Sequence, residues 1–110
     1  MIRVSFVGKL ATVFFEVDHV DSSNYKEFKG MMQHYMAENA KFVFDLGAVK
    51  FIDSSGLGAF LSILRDVRKL GGDMVMCGAG AAIRILFDLV QLSKVIQVFS
   101  DRDEAERALA

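Results

Sequence analysis

The chain has 110 residues, thirteen Lys and Arg against fourteen Asp and Glu for a net charge of −1, and 53% hydrophobic residues including ten phenylalanines. A domain of that length buries roughly 65% of its unfolded surface, so one core can hold it together without disulfide or metal, and the composition excludes disorder. The balanced charge argues against a nucleic-acid surface, which needs clustered Lys and Arg, and no apolar run reaches the roughly 18 residues of a membrane span.

Ile2, Val4 and Phe6 alternate as in a strand, and after Gly8-Lys9 the run Leu10 to Val17 is a second one, so the two predict a hairpin. Tyr25, Phe28, Met32 and Tyr35 then recur at helical spacing, with Asn24 as N-cap and Glu27 as its capping-box partner. Lys41 to Leu46 reads as a short buried strand. The following helix places Leu57, Leu61, Leu64 and Val67 or Arg68 along one face and ends at Gly71-Gly72. Asp73 to Cys77 is a strand, Ala81 to Val90 a helix, Val95 to Phe99 a last strand, and the C-terminal segment a helix capped by Ser100 with Asp103 at its third position. The order ββαβαβαβα predicts a single α/β domain over residues 1–110, with a mixed, mostly parallel sheet of about five strands and about four helices. No repeat, linker or proline marks a second domain. "MIRVSF" lacks the features of a signal peptide and Cys77 has no partner for an internal disulfide, so a cytoplasmic protein is expected.

The stretch "KFIDSSGLGAF" sets an acid, two hydroxyls and a glycine at the start of the central helix, behind a strand. Ligands of open α/β sheets sit at such junctions, where unpaired amides and the helix dipole favour an anion by ~0.3–1 kcal/mol, up to ~2 when partly buried. A phosphate fits there, either as a ligand or covalently as phosphoserine. Local pattern alone favours the plainer reading, in which Asp53 or Ser54 acts only as an N-cap.

A wider pattern separates these readings. "FIDSSGLGAFLSILRDVRKLGGDMVMCG" followed by "IRILFDLVQLSKVIQVFSD" resembles the STAS domain of bacterial anti-sigma factor antagonists over nearly the whole chain, most specifically in "DSSGLG", Asp53 to Gly58. "VDSSNYKEF" resembles the family's segment before its first helix and assigns the functional aspartate to Asp21. The family's glycine three residues earlier is Asp18 here, and a shifted alignment selects Asp18 itself. Asp21 fits better because Ser-Ser-Asn-x-x-Glu-Phe then matches both the family and the helix start.

The resemblance implies a switch. Ser54, directly after the motif's aspartate, would be phosphorylated by a GHKL-type partner that is both anti-sigma factor and serine kinase. The unphosphorylated form would bind that partner and free a sigma factor, and a PP2C-type phosphatase would reset the system. Asp21, Asp53, Ser54, Ser55, Gly56 and Leu57 become the expected partner-binding residues, with Gly56 and Gly58 allowing another backbone to approach closely. Ser55 reads as structural first. The chain itself is expected not to be an enzyme and to need neither cofactor nor metal. The resemblance leaves monomer and weak dimer open. A second reading also follows from it: a STAS subunit of a transporter, a lipid-transport ATPase or a stress-sensing complex, with Ser54 unmodified.

Other motifs carry less. "GAGAAI", Gly78 to Ile83, lacks the third glycine and the ribose-binding acid of a dinucleotide loop and reads as a plain βα turn. His19 and His34 have no nucleophile elbow to serve, and with Cys77 they show no metal-ligand spacing. Cys77 reads as a buried strand thiol, and Met31, Met32 and Met36 as core filling. Arg65, Arg68 and Lys69 read as a solvated helix face that complements the helix dipole.

Overall fold

A computed structural model describes all 110 residues. The expected hairpin is present: β1 (Ile2–Val7) and β2 (Leu10–Phe15) turn at Gly8, whose φ of +60° suits glycine. There follow β3 (His19–Val20), α1 (Tyr25–Gln33), β4 (Lys41–Asp45), β5 (Phe51–Ile52), α2 (Ser54–Lys69) and β6 (Asp73–Cys77). The chain closes with α3 (Ala81–Leu89), a 3₁₀ turn over Leu92–Lys94, β7 (Val98–Phe99) and α4 (Arg102–Leu109). The main sheet has the order β1-β2-β4-β6-β7, with β1 antiparallel to β2 and every other pair parallel. This is the mixed, mostly parallel five-stranded sheet with four helices that the alternating periods imply.

A ring of phenylalanines occupies the middle of the core. Phe15 of β2, Phe28 of α1, Phe44 of β4 and Phe60 of α2 are all buried, with ring centroids 5.2 Å (Phe15 and Phe28), 5.3 Å (Phe28 and Phe60) and 5.8 Å (Phe44 and Phe60) apart. Tilted and edge-on pairs of this kind add ~0.5–1.5 kcal/mol each beyond the area they bury. On the opposite face α4 sets Ala105 and Leu109 on Val43, Val75 and Cys77. Lys41 Nζ then donates to the Leu109 carbonyl at 2.8 Å, neutralising the end of that helix. Met32 is fully buried, with Met31 and Met36 half-buried against the same core, so these methionines fill space as expected.

Four expectations need correction. The buried stripe of α2 runs through Gly56, Ala59, Phe60, Ile63, Leu64 and Val67, while Leu61 is exposed and Leu57 half-buried. The small residues bring that side of the helix close to its neighbours, and Phe60 completes the aromatic ring. The cap of α4 is Asp101, not Ser100: its carboxylate accepts from the Glu104 amide at 2.8 Å. The last strand begins only at Val98, because the amides of Val95 and Ile96 both bond to the Leu92 carbonyl and keep the chain coiled. Asn24 does precede α1, but its side chain makes no cap bond and is used elsewhere, as described below.

Candidate functional site

β3 and β5 lie outside the main sheet as a two-residue parallel pair, His19 opposite Phe51 and Val20 opposite Ile52. The pair is anchored by the Asp18 carbonyl, which accepts from the amides of Lys50 at 2.7 Å and Phe51 at 3.1 Å. It brings two loops together, residues 21–24 behind β3 and Asp53 behind β5.

Asp53 is the junction between them. Its backbone is extended (φ −103°, ψ −173°), as an N-cap requires, and Oδ1 accepts from the Gly56 amide at 3.0 Å. Oδ2 accepts from the Ser22 amide, also at 3.0 Å, 31 residues away in sequence. One carboxylate therefore caps α2 and ties down the loop before α1. That loop is also bonded within itself. Asn24 Oδ1 accepts from the Asp21 amide, Asn24 Nδ2 donates to the His19 carbonyl, and Asp21 Oδ1 accepts from both the amide and the hydroxyl of Ser23. The Ser23 bonds hold the Asp21 carboxyl below its ordinary range.

Gly56 is buried, and a methyl group placed there would sit 2.0 Å from the Val20 carbonyl oxygen. The backbone that approaches Gly56 closely is therefore the chain's own β3, so Gly56 serves the joint and offers a partner no surface. Gly58 has open space where its side chain would be. Of the expected contact residues, Ser54 is exposed, while Asp53, Ser55, Leu57 and Asp21 are half-buried. The outward face of α2 is Ser54, Gly58, Leu61 and Arg65, each exposed and spaced three or four residues apart. The leucine spacing of α2 puts Leu61 on one face with Leu57 and Leu64, and nothing in the sequence points to Ser22, whose contribution is a backbone amide that no residue type advertises. The spacing of Leu61, seven residues from Ser54, was the available signal.

The first helical bond of α2 runs from the Leu57 amide to the Asp53 carbonyl, and Asp53 Oδ1 takes the Gly56 amide, which leaves the Ser54 and Ser55 amides free at the positive end of the helix. Asp18 lies apart from this arrangement: Oδ1 meets His19 Nδ1 at 2.8 Å, and that contact lowers the Asp18 pKa and raises that of His19. His34 is exposed at the end of α1. None of the molecule's surface cavities is lined by residues 18–24 or 50–58, so the hydroxyl of Ser54 stands on open surface and not in a cleft. No three His, Cys, Asp or Glu side chains converge on one point, and no helix is long and apolar enough to cross a membrane.

Comparison with known proteins agrees with this fold. The family model of the STAS domain matches residues 7–105. The anti-sigma F factor antagonist of Paenibacillus polymyxa is 28% identical over 91 residues, which cover 82% of this chain and 76% of the relative. An anti-sigma-factor antagonist (STAS) domain protein from Planctomyces limnophilus has the same fold, with a TM-score of 0.88 at 18% identity, covering 98% of this chain and 97% of that one. The phosphorylated form of the Bacillus cell fate determinant SpoIIAA matches over 100% of both chains, with a TM-score of 0.73 at 15% identity. With its family model matched over nearly its whole length and its fold shared with solved members, the chain belongs to the STAS domain family.

Proposed function

We propose that the chain is an anti-sigma factor antagonist controlled by phosphorylation of Ser54. Unmodified, it binds an anti-sigma factor that is also a GHKL-type serine kinase, and so frees a sigma factor. Phosphate on Ser54 ends that binding, and a PP2C-type phosphatase restores it. The observation that carries the reading is the position of Ser54: an exposed hydroxyl on open surface, at the first residue of a helix whose start is clamped by Asp53. A macromolecular partner can reach such a hydroxyl. The names of the relatives support the general role.

In the transfer step the Ser54 oxygen attacks the γ-phosphorus of ATP held by the kinase, ADP leaves, and the hydroxyl proton passes to a base. We assign that base to the kinase, since the Asp53 carboxylate is held by two backbone amides as the cap of α2 and the tether of Ser22. The free amides of Ser54 and Ser55 and the helix dipole then stabilise the product. The added charge of roughly −1.5 to −2 must be desolvated or repelled by any surface seated on Ser54, Gly58 and Leu61. A penalty of ~2.7 kcal/mol lowers affinity about a hundredfold, which suffices for a switch without refolding.

The test is reconstitution with a GHKL-type kinase encoded beside this chain. ATP and kinase should add one phosphate to the wild type and to Ser55→Ala, and none to Ser54→Ala. Unchanged stoichiometry in Ser54→Ala would reject the site. Calorimetry of the kinase against both forms should show the affinity loss, with unchanged circular dichroism. Asp21→Ala should weaken association more than Asp18→Ala at matched thermal stability, and the reverse order would transfer the family aspartate to Asp18.

A further inference from the structure

The two edges of the main sheet are protected very differently. β7 is two residues long and lies against α4, so it offers little to pair with. β1 has six residues in unbroken register with β2, from Ile2 opposite Phe15 to Val7 opposite Leu10, with no bulge. It contains no proline. Its one charge, Arg3, has its guanidinium 4.3 Å from the Phe14 ring of β2, drawn inward from the edge. The usual protections of an edge strand, which are shortness, proline, bulges and outward charge, are missing. Phe6 is 54% and Val7 77% exposed.

The hydrogen-bonding phase of this edge follows from one contact. The Glu16 amide donates to the Met1 carbonyl at 2.7 Å. In the observed register Met1 opposes Glu16, so the pairs that exchange bonds with β2 are those of Arg3, Ser5 and Val7. Ile2, Val4 and Phe6 therefore turn their amides and carbonyls to the open side. On the same three residues the side chains share the apolar face that leads to the core, with Phe6 against Tyr35 at 5.8 Å between centroids.

We infer that β1 is a docking edge for a second copy of this chain, the two β1 strands pairing antiparallel about a two-fold axis through Val4. Val4 then faces its own counterpart, and Ile2 faces Phe6 of the second copy in both directions. These are the three residues whose backbone groups are free, so the pairing completes every one of them and joins the two sheets into one of ten strands. Directly opposed side chains are apolar with apolar on one face, and Arg3 with Ser5 on the other. No like charges meet head on. Such an interface is self-complementary by sequence, as a two-fold contact must be.

The experiment is a sedimentation series over concentration on the wild-type chain, with amide exchange at low and high concentration and two variants of the exposed Ser5. The wild type should shift from monomer to dimer, and the Val4 and Phe6 amides should gain protection as it does. Ser5→Lys places a cation opposite Arg3 of the second copy and Ser5→Glu an anion, twice per dimer. The first should weaken and the second tighten the dimer, each by about twofold to thirtyfold in Kd. A monomer at every concentration, or two Ser5 variants that shift Kd in the same direction or not at all, would overturn the inference.

Discussion

Replacing Gly56 by alanine adds one methyl group to α2 and tests how tightly the site is joined. By helix propensity alone the change is favourable by about 1 kcal/mol. The methyl group, however, would lie 2.0 Å from the Val20 carbonyl oxygen, 2.7 Å from its carbon and 3.2 Å from Ile52 Cγ2. Val20 is fully buried and held in the β3–β5 pair, so the obstruction is backbone that has nowhere to retreat. Overpacking costs about 1–3 kcal/mol, and a fixed carbonyl puts this site at the upper end. The net loss is about 2 kcal/mol, a fall in Tm of about 10 °C for a domain of this size. Gly58→Ala is the matched control, because open space surrounds it and only the gain of up to about 1 kcal/mol applies. Thermal and urea melts of the two variants decide the matter. A Gly56→Ala protein as stable as the wild type would refute the close contact between α2 and β3.

Asp53→Ala removes the α2 cap and the tether to Ser22 together and should cost about 1–2 kcal/mol in urea denaturation, while Asp53→Asn, still able to cap, should lose less; equal losses would show that the carboxylate does not act as a cap. His19 should titrate above its ordinary 6.5 because of Asp18, and Asp18→Asn should bring it back down in an NMR titration. Since the folded-state value is raised, this contact stabilises fully below pH 6.5 and its contribution disappears as pH rises through the value in the folded protein. The Asp18 and Asp21 carboxyls have the opposite sign: lowered on folding, they stabilise above 3.8 and that contribution is lost as pH falls through their folded values. Burial pushes the Cys77 thiol up to about 12, so thiol reagents should label it only as fast as the protein unfolds; rapid labelling of the native form would contradict its burial.

How much of this was legible in the sequence depends on what each element rests on. β6 is found where it was expected, Asp73 to Cys77, because the apolar run Met74 to Cys77 follows Gly71-Gly72 and Asp73 and ends at Gly78. That Asp53 or Ser54 caps the helix was readable, since capping is local chemistry, and the structure gives the cap to Asp53 and leaves the Ser54 hydroxyl exposed. The leucines of α2 misled, because a reading by large side chains ignores Gly56 and Ala59, whose smallness decides which side of the helix sits closest to its neighbours. β3 and β5 left no trace: two residues cannot show a period, and their pairing joins segments some thirty residues apart. Asn24 looks like a cap in sequence, yet its amide group closes the loop between His19 and Asp21, a choice made by tertiary geometry. Ser100 and Asp101 are both good cap residues, and only the start of the helix in space selects the second.

The double use of the Asp53 carboxylate has a consequence for the entropy of recognition. A loop such as residues 21–24, left to itself, would sample many shapes, and a protein seating itself on it would have to give up affinity to freeze one. Here that ordering is completed during folding: Asp53 fastens Ser22 to the start of α2, and Asn24 and Ser23 fasten the remainder. Because immobilising a rotamer-rich side chain on binding costs about 0.5–1.5 kcal/mol, a surface delivered already rigid lets a modest contact area bind firmly. The same rigidity leaves it little ability to reshape around an unwelcome charge, so under the proposed switch a group added at Ser54 would be felt at full strength.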